Sequence, residues 1–251
     1  MPFDKRTVQA GGCQIEYAEL GNGPNVVLLH GSGGFRFDET AFGLLARDHR
    51  VLVPSMPGFD QSTIGGVNSG SDTADVMAQF ISAAAGGSAH VVGESFGGRI
   101  AAWLAIRHPN VVQTVILAAP GGLRRGDGAE RRLDGTPQEQ QIRLFGKPLD
   151  PPPTAAQDAQ RRANLATAIR LSGPSWDEQL YQQLPTVHVP ALVLYGTNDQ
   201  TLTREAIELF HERIPGSRIS FLEGAPHVIS ATYPEQFASL VSDFIKAGAP
   251  A

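Results

Sequence analysis

The stretch HVVGESFGGRIAAWLA, His90 to Ala105, runs from a β-branched apolar segment through a serine set among glycines into a segment with helical spacing. Gly93-Glu94-Ser95-Phe96-Gly97, followed by Gly98, fits a sharp strand-to-helix turn, where the central residue is strained and its neighbours must lack bulk. Ser95 would then stand at the tip of that turn, close to a helix N-terminus whose free N–H groups favour negative charge. In isolation the same residues also read as a strand-end serine in a glycine-rich turn. What surrounds them decides between the two.

Outward from this turn, buried-strand runs recur: NVVLLHG, RVLVPSMPG, AHVVGES, VVQTVILAAP and PALVLYGTND. Each is nearly continuous in apolar residues, as expected of a strand covered on both faces. Helical stretches alternate with them, including SDTADVMAQFISAAA, FGGRIAAWLAIRH and TREAIELFHERIPG. RISFLEG adds a last strand, and TYPEQFASLVSDFIKAG a last helix. The chain opens on a hairpin, RTVQA and CQIEYAEL around Gly11-Gly12. The pattern predicts an α/β fold: a mostly parallel sheet of the eight-stranded type with helices on both faces.

The segment from Gly121 to His188 breaks the alternation. Capping boxes at Thr136 (TPQE), Thr154 (TAAQ) and Ser175 (SWDE) predict three helix starts, and Asp150 to Pro153 a stiff connector. Residues 121–188 therefore read as a helical lid inserted into a core formed by residues 1–120 and 189–251. Arg124, Arg125, Arg131 and Arg132 open the insertion, interleaved with Asp127, Glu130 and Asp134. They read as a solvated charged loop, with recognition of a substrate carboxylate as the alternative. Trp176, Leu180, Tyr181 and Leu184 recur at helical spacing. They are candidates for lining an apolar pocket, or equally a stripe packed on the core.

A serine hydroxyl needs a base to take its proton. Of seven histidines, His227 in LEGAPHVIS follows the last strand and precedes the last helix, at the sheet edge where Ser95 emerges. The others have duller readings: His108 closes a helix, His90 opens a strand, and His49, His188 and His211 sit in polar, surface-like contexts. His30 ends a strand, where a structural hydrogen bond suits it. Asp199 in YGTND leaves another buried strand at the same edge, where it could orient the imidazole or simply shape a turn. Ser95, Asp199 and His227 thus converge, in that order, on one edge of one sheet.

These segments resemble the α/β-hydrolase family nearly end to end. LLHGSGG resembles its His-Gly oxyanion loop, VPSMPGFDQS its Pro-Gly turn, GESFGG its nucleophile elbow, and YGTND and GAPHVI its acid and base loops. The resemblance implies Ser95 as nucleophile, His227 as general base and then acid, and Asp199 as its orienting carboxylate. It also implies an oxyanion hole made by the backbone N–H groups of Ser32 and Phe96. Two positions depart from the pattern: Ser55 stands where many members carry Asp, and Asp60 where glycine is common. The elbow serine argues against the dehalogenases and epoxide hydrolases of the family, which place Asp there. Glu94 and Val228 replace the Asn and Trp usual in its carbon–carbon bond hydrolases. Val228, beside the histidine, is a further pocket candidate, and Glu94 reads as structural, turned away from Ser95.

Hydrolysis of a small carboxylic ester, lactone or thioester is the first expectation. The alternatives are a carbon–carbon bond hydrolase of a ring-cleavage product and a receptor-like member with slow turnover. Neither a cofactor nor a metal is expected, since the histidines are scattered and Cys13 is the single cysteine. That lone cysteine also means nothing depends on an oxidising compartment. A net charge of −5 gives no reason to expect a nucleic-acid partner, and no run approaches membrane-spanning length. The expected partner is a small-molecule substrate and the expected location cytoplasmic, with a homo-oligomer left open.

Overall fold

The computed structural model describes residues 4–35, 39–125 and 135–248. Eight strands among them form one sheet: β1 (Asp4–Ala10), β2 (Cys13–Leu20), β3 (Asn25–Leu29), β4 (Arg50–Pro54), β5 (Ala89–Glu94), β6 (Val112–Ala118), β7 (Ala191–Gly196) and β8 (Arg218–Leu222). Their order is β1-β2-β4-β3-β5-β6-β7-β8. β2 runs antiparallel to both β1 and β4, and every later pairing is parallel. Gly11 and Gly12, both at positive φ, turn the opening hairpin, and Ala10 pairs with Cys13 across them.

The helices are α1 (Glu39–Leu45), α2 (Gly70–Ala84), α3 (Phe96–Arg107), α4 (Pro137–Phe145), α5 (Ala155–Ser172), α6 (Glu178–Gln183), α7 (Arg204–Arg213), α8 (Ile229–Thr232) and α9 (Pro234–Gly248). Two core layers explain the continuous apolar strands. Val26 and Leu28 of β3 pack with Ala41 and Leu45 of α1 and Phe237 and Val241 of α9. Val27 and Leu29 point the other way, into a layer with Met77 and Phe80 of α2, Ile100 and Leu104 of α3 and Phe210 of α7. Cys13, in β2, is fully buried in that second layer. Among the described residues no helix is long and apolar enough to cross a membrane.

Between β6 and β7 the chain forms α4, α5 and α6. Capping boxes start α4 at Thr136 and α5 at Thr154, each with the reciprocal pair of bonds in place. The third start differs from the expectation at Ser175. Leu123 bridges Trp176, and Arg124 N–H donates to the Ser175 carbonyl at 3.1 Å, so this backbone is held extended. Helix α6 begins two residues later, with the Asp177 carboxylate capping the Leu180 N–H at 3.0 Å.

Because β3, β5, β7 and β8 are parallel, their C-terminal ends share one edge. His30, Ser95, Asp199 and His227 all lie in the loops that leave it.

Candidate active site

Ser95 lies between β5 and α3 at φ 57°, ψ −113°, a conformation that non-glycine residues rarely adopt. Its surroundings hold it there. The Ser95 N–H donates to Ala118 O at 2.9 Å, and the Ser95 carbonyl accepts from Gly121 N–H at 3.0 Å and Arg99 N–H at 3.2 Å. A side chain on Gly97 would run into the Leu29 and His30 carbonyls, and one on Gly93 into the Gly97 carbonyl. The two glycines of the motif are there to let three backbones close in.

His227 Nε2 stands 2.8 Å from Ser95 Oγ, and His227 Nδ1 stands 2.7 Å from Asp199 Oδ2. The Asp199 side chain is wholly buried and that of His227 nearly so. The other Asp199 oxygen accepts Thr201 N–H at 2.6 Å and Leu202 N–H at 3.0 Å, which fixes the carboxylate's orientation. With Nδ1–H donated to Asp199, Nε2 is left as the acceptor for the Ser95 hydroxyl proton.

Ser32 and Phe96 border the same cavity as Ser95. Phe96 is the first residue of α3, so its N–H has no carbonyl within the helix to bond. Ser32 sits in a turn closed by the Gly34 N–H to Gly31 O bond of 3.1 Å, and a Cβ built on Gly31 would lie 3.5 Å from that of Ser95. His30 braces the start of this loop. Its Nε2 accepts the Met56 N–H at 3.0 Å, which leaves Nδ1 to donate to Gly31 O at 2.8 Å. Desolvation lowers the His30 pKa, in keeping with a neutral structural ring.

Glu94 turns away from Ser95. Its carboxylate accepts Ser230 Oγ–H at 2.7 Å and Ser230 N–H at 3.1 Å. Desolvation pushes its pKa up, and the Ser230 bonds, the nearby His227 and the Ile229 N–H pull against that shift.

The cavity has a volume of about 790 Å³ and is bordered by the sheet edge on one side and by α4 and α5 on the other. Val228 lines it. Trp176, Leu180, Tyr181 and Leu184 do not, which corrects the pocket expectation for these four. Leu180 is fully buried and faces Gly122, while Trp176 and Tyr181 pack on each other at 5.0 Å, with Arg125 over the indole. Their spacing is that of a stripe packed on the core. Arg124 reaches the cavity and donates to Thr201 O at 3.3 Å, whereas Arg131, Arg132, Asp127, Glu130 and Asp134 lie outside the described residues.

Three features of the site were not singled out in the sequence. Arg99, nearly buried in α3, donates to Asp177 at 2.6 Å, and the Trp103 indole N–H reaches the same oxygen at 3.2 Å. The signal was an arginine inside the apolar helix RIAAWLA. Asn164 of α5 is buried over the Ser32 turn, and Ser230 holds Glu94; neither has a local signature. His49, expected at the surface, is buried with Nδ1 3.1 Å from Leu45 O.

The likeness to known proteins agrees with this geometry. The α/β hydrolase fold family model matches residues 24–234. A pimeloyl-[acyl-carrier protein] methyl ester esterase of Aeromonas hydrophila is 27% identical over 92% of this chain and 99% of its own. A 2-hydroxy-6-oxo-6-(2'-aminophenyl)hexa-2,4-dienoic acid hydrolase of Metapseudomonas resinovorans is 27% identical over 97% of this chain and 91% of its own. The crystal structure of a carboxylesterase from Bacillus subtilis superposes with a TM-score of 0.81 at 18% identity, over 99% of this chain and 93% of that one. With the sheet order, the strained serine turn and a family match spanning most of its length, the chain belongs to the α/β hydrolase fold family.

Proposed function

We propose that the protein is a serine hydrolase cleaving a small carboxylic ester through an acyl-enzyme. The observation that carries this is the relay Ser95 Oγ to His227 Nε2 at 2.8 Å and His227 Nδ1 to Asp199 at 2.7 Å, opening on a cavity. Ser95 Oγ attacks the ester carbonyl carbon while His227 Nε2 takes its proton. The carbonyl oxygen, now an anion, accepts from Ser32 and Phe96 N–H, each worth about 3–4 kcal/mol in the transition state. The intermediate collapses by breaking the bond to the alcohol oxygen, which leaves with the proton from His227. A water then gives its proton to His227 and attacks the acyl carbon, and the Ser95 oxygen regains a proton from the imidazole. Asp199 holds the ring and faces the imidazolium throughout.

The cavity lining supports an ester that carries negative charge. Among the described lining residues are Arg99, Arg124, Arg143, Lys147 and Arg161, and Glu94 is the one carboxylate. Arg99 is paired with Asp177 and Arg161 with Asp158, and the cationic side chains of the lining together outnumber its single carboxylate, which sets the sign of the field a substrate meets. The curated relatives lend support at the level of class, since one is named a methyl ester esterase.

The test is pre-steady-state hydrolysis of p-nitrophenyl esters of increasing acyl length, neutral and ω-carboxylated, by the native protein and Ser95→Ala. A burst followed by turnover, lost by about 10⁴-fold or more in Ser95→Ala, is expected, with the carboxylated series favoured at low salt. Equal rates in the two proteins would remove Ser95 as nucleophile. Turnover confined to a dienoate chromophore would move the reading to carbon–carbon bond cleavage, the chemistry in the name of the other curated relative.

A further inference from the structure

The turn that carries Ser32 is poor in side chains: Gly31, Gly33 and Gly34 surround it, and its one internal bond, Gly34 N–H to Gly31 O, is little to hold a glycine-rich backbone in one conformation. It is gripped from outside. Asn164, 2% exposed on α5, donates from Nδ2 to Gly33 O at 2.9 Å and to Asp60 Oδ1 at 2.8 Å, and its Oδ1 accepts Asp60 N–H at 3.1 Å. Asp60 Oδ2 in turn accepts Phe35 N–H at 2.9 Å and Ser55 Oγ–H at 3.2 Å. The Gly31–Gly34 turn is thus held at the carbonyl of one central residue and at the amide just beyond its end.

The orientation of the Asn164 amide follows from its partners. Reversed, it would set its oxygen against two acceptors and its NH₂ against an N–H. Gln160 Nε2 also donates to Asn164 Oδ1, at 3.1 Å, and steadies it within the helix. The contact is close enough that a side chain on Gly34 would collide with Asn164.

A second, independent observation concerns Asp60. It sits at φ 48°, a conformation suited to glycine. A carboxylate is kept there against the backbone's preference, and both of its oxygens are used.

We propose that Asn164 and Asp60 are positioning residues for the Ser32 N–H, so that the seating of α5 on the core sets the oxyanion hole. The inference rests on the ester-hydrolase reading for its catalytic consequence only. The clamp itself is a statement about the turn. When α5 lifts, the Gly33 carbonyl loses its partner, the Asp60 carboxylate that holds the Phe35 amide loses its brace, and the donor at Ser32 loses its place. Loss of the Asn164 or Asp60 side chain alone leaves the charged lining of the cavity, Arg124, Arg143 and Lys147 among it, in place.

The test uses Asn164→Ala, Asp60→Gly and Asp60→Asn in the full chain, with two readouts. Backbone hydrogen exchange of the segment spanning residues 31–35 should rise about tenfold or more in the first two variants, with β5 and α3 unchanged. On a p-nitrophenyl ester their kcat should fall by about 10–100-fold, with KM within about twofold. Asp60→Asn, which tolerates the left-handed backbone and keeps one acceptor oxygen for either Asn164 or the Phe35 amide, should recover part of the loss. Asp60→Gly relieves the backbone, so a loss there cannot be assigned to strain, and it serves if Asn164→Ala fails to fold. Exchange at 31–35 unchanged in both Asp60→Gly and Asn164→Ala would overturn the clamp. Raised exchange with native kcat would overturn its role in the hole. Absence of esterase activity in the native protein would count against the functional reading, and the exchange readout would still decide the clamp.

Discussion

Glu94 and Ser230 lie 136 residues apart and are joined by two hydrogen bonds, one from the Ser230 hydroxyl at 2.7 Å and one from its N–H at 3.1 Å. Glu94 immediately precedes the elbow serine and Ser230 follows His227 by three residues, so this pair ties the loop bearing the base to the strand bearing the nucleophile. Ser230→Ala removes the stronger bond and leaves a desolvated carboxylate oxygen without it. A loss of about 1–3 kcal/mol in the urea unfolding free energy is expected.

The same pair makes a pH prediction. The Glu94 pKa is raised by desolvation, so the native protein binds its proton before the unfolded chain does. Its stability relative to Glu94→Gln must therefore increase as pH falls through the raised pKa, and level off below the unfolded carboxylate value. Denaturant titrations of the two proteins between pH 7 and pH 4 test this. A constant difference would mean that Glu94 titrates alike in both states.

What the sequence made legible follows from which interactions leave local marks. β3, β5, β6 and β7 are covered on both faces and so are written as nearly continuous apolar runs. The glycines of the elbow are written in because a Cβ would strike backbone, and the structure brings Ser95, Asp199 and His227 together at the edge those strands share. Helix α6 shows the limit: the spacing of Leu180 and Tyr181 records a buried face but not what buries it. Its start lies two residues beyond the capping pattern at Ser175, because the Leu123–Trp176 bridge joins residues 53 positions apart. Asn164 sits in RRANLATAIR as one polar residue among several, and its partners lie 104 and 131 residues away. Only the unusual Asp60 hinted at them.

Arg99 and Asp177 link α3 to α6 at 2.6 Å with little solvent access, and Asp177 also caps α6 and accepts from Trp103. Asp177→Ala strands a nearly buried guanidinium and removes the cap, for an expected loss of about 3–5 kcal/mol. Asp177→Asn keeps one acceptor oxygen, enough for the cap or for the indole and guanidinium but not for both, and should fall between. Thermal unfolding of both variants, with far-ultraviolet circular dichroism to confirm folding, measures the difference. Equal stability for Asp177→Ala and the native protein would mean that water takes over the guanidinium.

His90 is buried at the start of β5 with Nδ1 3.0 Å from Thr114 Oγ1, and desolvation, helped by His49, lowers its pKa to about 4. An unfolded histidine titrates near 6.5, so the unfolded chain gains this proton first as the solution is acidified. Stability associated with the neutral ring is full above pH 6.5 and is lost progressively between pH 6.5 and about 4. The loss amounts to roughly 2–4 kcal/mol. His90→Gln carries no titrating group and should show a flatter stability profile across that window. Parallel profiles for the two proteins would place the acid sensitivity elsewhere.

Asp199 offers the sharpest separation of structure from chemistry. Its Oδ1 accepts two backbone N–H bonds, from Thr201 and Leu202, and an asparagine oxygen can do the same. The turn should therefore survive Asp199→Asn, with a thermal midpoint close to the native one. The other atom becomes an NH₂ that faces His227 Nδ1, at the place where Oδ2 now lies 2.7 Å away. A donor there forces the proton onto Nε2, and Nε2 can then no longer accept from Ser95. The expected result is a fall in kcat of about 10⁴-fold with KM little changed. A native kcat in Asp199→Asn would return Asp199 to the plainer reading of a turn residue and leave His227 to act without a carboxylate.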